Sequence, residues 1–111
     1  MEITFRTQRL QKDFSSERTL RKKYGERMAL TIMARIGVLR NASTLSKVPT
    51  TPPERRHQLK GDRNEQFAVD LVHPLRLVFE PNQYQPERKE DGGIDLDQVT
   101  TIKILEVVDY H

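Results

Sequence analysis

Val99-Thr100-Thr101-Ile102-Lys103-Ile104-Leu105-Glu106-Val107-Val108 is the strongest β-forming stretch of the chain. Its apolar residues are nearly continuous, the pattern of a strand covered on both faces and therefore lying inside a sheet. Such a strand needs neighbours, and the sequence offers four. Glu2-Ile3-Thr4-Phe5-Arg6 alternates apolar and polar residues with a period of two, which predicts a short half-buried strand. His57-Gln58-Leu59-Lys60 and Gln66-Phe67-Ala68-Val69-Asp70-Leu71-Val72 flank Gly61-Asp62-Arg63-Asn64, a turn composition, and predict a hairpin. Arg76-Leu77-Val78-Phe79-Glu80 follows the turn at His73-Pro74 and ends at Pro81.

Between the first strand and the hairpin the period changes. Leu10 and Phe14 lie four apart on a short helix, and Ser15 or Ser16 can cap the next one. Leu20, Tyr24, Met28, Ile32, Ile36 and Leu39, with Ala29 and Met33, then form the apolar stripe of one long amphipathic helix. Gly25 inside that stripe costs roughly 1 kcal/mol relative to Ala and marks a place for a bend. Residues 41 to 54, with prolines at 49, 52 and 53, read as a loop. Strand, helix, helix and four strands predict an α+β fold: a small, mainly antiparallel sheet with two N-terminal helices packed on one face. The opposite face should then be a concave polar surface.

With 111 residues the chain reads as a single domain, 1–111, in which the polar segment 82–98 is a flexible charged loop. The absence of cysteine excludes disulfides, thiolate metal sites and thiol nucleophiles, and fits a cytoplasmic location. No apolar run approaches the ~20 residues that span a bilayer, so no membrane role is expected. The net charge of +3 is unevenly placed: residues 6 to 63 are basic, whereas acidic residues gather at 87 to 97. A basic surface of this kind suits polyphosphate, although a solvated helix face explains it equally well.

After Val108 the apolar run gives way to Asp109-Tyr110-His111. On an extended strand Asp109 and His111 point to one face about 7 Å apart along the strand, and a carboxylate beside an imidazole can orient it and favour its charged form. His57, Lys60 and Arg63 belong to the hairpin, and Arg76 begins the following strand. Gathered by a sheet, these groups would supply proton donors, proton acceptors and fixed positive charge, the set used in RNA phosphodiester cleavage. Each also has a plainer reading: His111 as a solvated residue, Lys60 to Arg63 as a turn, Arg76 as a surface cation or partner of Glu80. Two histidines with carboxylates could ligate a metal, but no close pair or helical spacing points to one. There is no nucleophile elbow and no glycine-rich phosphate loop.

Taken together, Pro53-Glu54-Arg55-Arg56-His57-Gln58-Leu59-Lys60-Gly61-Asp62-Arg63, Phe67-Ala68-Val69-Asp70-Leu71, Leu75-Arg76-Leu77-Val78-Phe79 and Glu106-Val107-Val108-Asp109-Tyr110-His111 resemble the HigB-like killer toxins of the RelE/ParE superfamily. The resemblance covers nearly the whole chain in order and spacing. It implies a small sheet with two helices against it, and a ribosome-dependent endoribonuclease that needs no cofactor or metal and cuts the codon in the A site. The implied partners are the ribosome, mRNA and a helix-turn-helix, HigA-like antitoxin, with operator DNA reached only through that antitoxin. Carried over, His57, Lys60, Arg76, Asp109, Tyr110 and His111 are the catalytic set. Lys60 and Arg76 stabilise charge on phosphate, His111 with Asp109 and then His57 move protons, and Tyr110 places a base. Arg55, Arg56 and Arg63 would contact RNA backbone. Leu75 stands where many members have an aromatic residue, and 82–98 lengthens a connection that is often shorter. ParE-like relatives, which act on DNA gyrase without cutting RNA, and a degenerate toxin that only binds its antitoxin are the rival expectations.

Overall fold

A computed structural model of the chain describes residues 1–83 and 85–109. The expectations for Tyr110 and His111 lie outside the described residues. Among the described residues the order is β1 (Glu2–Phe5), α1 (Gln8–Asp13), α2 (Glu17–Tyr24), α3 (Glu26–Asn41), β2 (His57–Gln58), β3 (Phe67–Asp70), β4 (Leu75–Pro81) and β5 (Thr101–Asp109). The strands form one sheet in the order β1-β5-β4-β3-β2, antiparallel except where β1 runs parallel to β5. The fold is thus α+β, with the apolar C-terminal run inside the sheet, as its composition predicts.

The long apolar stripe is divided between α2 and α3. Gly25 adopts φ 85° and ψ 167°, a backbone conformation that side chains disfavour, and caps α2 by donating its N–H to the Arg21 carbonyl at 2.9 Å. Its own carbonyl accepts the Ala29 N–H at 3.0 Å, so the same residue ends one helix and starts the next. Three helices therefore stand where the periodicity suggests two, because a stripe with helical spacing survives a sharp bend that keeps both halves facing the sheet. Ser16 and Thr19 form a reciprocal capping box at the start of α2.

The principal core lies between sheet and helices. Leu20 of α2 and Met28, Ala29, Ile32 and Leu39 of α3 pack on Phe67, Val69, Leu77, Phe79, Ile102 and Ile104. Phe67 and Phe79 are paired directly across β3 and β4, with ring centroids 6.1 Å apart. Segment 82–98 contributes buried Ile94 to this core, and Arg88 in the same segment pairs with Glu65 beside the hairpin turn. No helix among the described residues is long and apolar enough to cross a membrane.

Candidate nucleic-acid interface

The second face of the sheet, away from the helices, differs from the concave polar surface expected. Its middle is a small buried apolar cluster of Leu59, Ala68, Val78 and Leu105, with Val108 against it. A bulge in the β4–β5 pairing explains part of this. Val78 pairs with Glu106 but Phe79 pairs with Ile104, so Leu105 is the extra residue and the alternation resets there. Charged groups surround the cluster instead of filling it.

The register sets two rows on this face. One is Ala68–Val78–Glu106 with His57 opposite Ala68; the other is Asp70–Arg76–Val108. Residues directly opposite each other share a face. In the first row Glu106 accepts from Arg63 Nη2 at 2.8 Å and lies 3.5 Å from Arg6 Nη2. Arg63 precedes β3 and Glu106 sits on β5, so this ion pair links the two sides of the apolar cluster. Arg63 also donates to Gln66 Oε1 at 3.1 Å.

In the second row Asp70 is met by Arg76 Nε at 3.3 Å and by Arg55 Nη1 at 3.1 Å. Arg76 thus pairs across the strands with Asp70, in place of the same-strand Glu80 that its spacing suggests. The Asp70 backbone is fixed as well: its N–H donates to the Glu54 carbonyl at 2.8 Å, and its carbonyl accepts from Arg35 Nε at 2.6 Å. Arg35 of α3 in turn lies 4.0 Å from the buried Glu54 carboxylate. Each row therefore holds one carboxylate between two arginines.

His57 on β2 makes a 2.9 Å contact from Nδ1 to the Arg55 carbonyl. A carbonyl can only accept, so Nδ1 carries the proton and, in the neutral ring, Nε2 holds the lone pair. Lys60 is exposed and leads into the turn Gly61–Arg63. Arg56, by contrast, is built into the preceding loop: Nε donates to the Val48 carbonyl at 3.0 Å, and burial lowers the pKa of its guanidinium. By strand spacing the Cα atoms of His57 and Arg76 lie roughly 12 Å apart, two strands and two residues from each other. Asp109 is exposed at the end of β5 and pairs with Leu75, whose side chain packs toward the helix-side core, one position beyond the Arg76–Val108 pair. The face thus brings together His57, Arg55, Arg63 and Arg76; the relation of Asp109 to His111 lies outside the described residues.

Sequence reasoning overlooked Asp70 and Glu106. A signal was present for both, since each is a lone acid inside an otherwise apolar strand run and needs a partner there. The basic rim continues into a groove of about 330 Å³ lined by Arg6, Arg9, Lys23, Tyr24 and Glu106 among others. Among the described residues no group of three His, Asp or Glu side chains is placed to hold a metal ion. Comparison with protein families, with curated proteins and with solved structures finds no match to this chain.

Proposed function

We propose that this chain is the toxin of a type II toxin–antitoxin pair, a metal-independent endoribonuclease that cuts mRNA in the ribosomal A site and inhibits translation. The supporting observation is the helix-free sheet face, which carries His57 at one edge, Arg55, Arg63 and Arg76 across it and Arg6 at the far edge, the arginines ordered by Asp70 and Glu106. RNA cleavage of this kind requires removal of the 2′-OH proton, attack of that oxygen on phosphorus and protonation of the departing 5′-oxygen. His57 Nε2 is the proton acceptor in the neutral tautomer set by the Arg55 carbonyl. Arg76 and Lys60 offset the charge that grows on the phosphate. The second proton-transfer role goes to His111, with Asp109 and Tyr110, on the resemblance alone. The ribosome supplies the alignment of the codon, so a sparse set of groups is sufficient. A cytoplasmic location and a helix-turn-helix antitoxin as partner belong to the same proposal.

The test is to map cuts on ribosome-bound mRNA with wild type, His111→Ala and Arg76→Ala. Codon cutting by wild type, with loss of at least about a hundredfold in each variant, is the expected result. Equal cutting by all three overturns the residue assignment. Absence of cutting by wild type, accompanied by gyrase poisoning, overturns the function.

A further inference from the structure

We infer that Arg55 joins Arg76 in holding the scissile phosphodiester, and that Asp70 is the positioning residue that sets the two guanidinium groups as a fork. The inference rests on the ribonuclease reading; it adds Asp70 to the site and moves Arg55 from a general backbone contact to the scissile phosphate.

The geometry is a carboxylate shared between two cations. Asp70 Oδ2 meets Arg55 Nη1 at 3.1 Å, and Oδ1 meets Arg76 Nε at 3.3 Å. An arginine and a carboxylate left to themselves favour a two-pronged pair, with both oxygens on one guanidinium. Here the oxygens are divided, which brings together two groups that would otherwise repel. Asp70 can direct them because it is held from three sides: by pairing with Arg76 in the sheet, by its N–H on Glu54 and by Arg35 on its carbonyl.

Arg55 carries a second mark of placement. Its φ is +47°, the left-handed region that non-glycine residues rarely occupy. The conformation is enforced by Arg55 N–H to the Thr51 carbonyl and Arg56 N–H to the Pro49 carbonyl, both at 2.9 Å. Backbone of this kind concentrates where a residue must be aimed. Stability gives little reason for it, since the Arg55 side chain is 56% exposed and an ion pair so open to water contributes little. What the conformation does accomplish is double: the Arg55 carbonyl fixes the His57 ring, while the guanidinium projects to Asp70. One residue therefore ties the proton acceptor to the phosphate contact.

The charge balance fits the reaction. A phosphodiester carries one negative charge, which a single guanidinium group can meet in the ground state. As the 2′-oxygen bonds to phosphorus and before the 5′-oxygen leaves, a second negative charge gathers on the non-bridging oxygens. Two separate guanidinium groups can then each face one of those oxygens, an arrangement that favours the transition state over the substrate.

The experiment uses the full-length chain. Asp70→Asn keeps shape and removes the charge, and is expected to lower kcat on ribosome-bound mRNA at least about tenfold without raising KM, because the site gains net positive charge while losing its alignment. In Arg55→Ala the same Asp70→Asn change should cost clearly less than in wild type, about threefold or under, since one of the two partners it acts through is gone. An equal loss in both backgrounds, or a parallel rise in KM with unfolding, overturns the positioning role. A second readout does not depend on cleavage. Binding of a single-stranded RNA oligonucleotide should lose about 0.7 from its log–log salt slope in Arg55→Ala and again in Arg76→Ala. Unchanged slopes refute the fork even where RNA is cut. If wild type cuts nothing, the enzyme reading fails, and these slopes alone decide whether the two arginines meet phosphate.

Discussion

Replacing Gly25 by alanine separates two accounts of the longest apolar stripe. Were residues 20 to 39 one continuous helix, alanine would be the better residue by roughly 1 kcal/mol, and Gly25→Ala would stabilise the protein. The fold requires the opposite sign. At φ 85° and ψ 167° a β-carbon is strained by its own backbone, although a Cβ built there meets nothing within 4 Å. The penalty is therefore conformational alone, on the order of 1–3 kcal/mol. For a domain of 111 residues that lowers Tm by roughly 4 to 13 °C. Gly37→Ala is the internal control, because Gly37 lies inside α3 with ordinary φ and open space around its Cβ. It should raise stability by about 0.5–1 kcal/mol. Urea unfolding of the two variants beside wild type supplies both numbers. A Gly25→Ala protein as stable as wild type or more so would refute the broken-helix account; a destabilised Gly37→Ala would show that space around α3 is tighter than described.

Phe79→Ala should cost about 3–5 kcal/mol, because Phe79 is fully buried and stacked on Phe67 in the middle of the sheet; denaturant titration measures it, and a loss under about 1 kcal/mol would contradict the packing. The tie between Arg88 and Glu65 predicts a response to acid. Hydrogen bonding from Arg88 lowers the Glu65 pKa, so the stabilisation it gives is present above the usual glutamate range and is lost as pH falls through the lowered value. The protection factors of the Lys89, Gly92 and Asp95 amides, whose N–H groups close that segment, should fall below the transition in wild type and stay level with pH in Glu65→Gln. Equal pH dependence in both proteins would remove Glu65 as the titrating group.

Much of the architecture was decided by local pattern. The near-continuous apolar run from Ile102 to Val108 placed β5 inside the sheet, and the alternation at Ile3 and Phe5 and the turn at Gly61 to Asn64 marked β1 and the hairpin, because burial on one or two faces leaves a period in the chain. Gly25 was legible as a place for a bend but not as the end of one helix and the start of another, since helical spacing alone does not report backbone direction. Arg76 and His57 could be named from their neighbours in sequence, but their partners could not. Asp70 with Arg55 and Arg76, and Glu106 with Arg6 and Arg63, are brought together by strand register, by the bulge at Leu105 and by a loop that returns to β3. All but the Asp70–Arg76 pair join residues more than a dozen positions apart, and only the assembled sheet determines which charges meet.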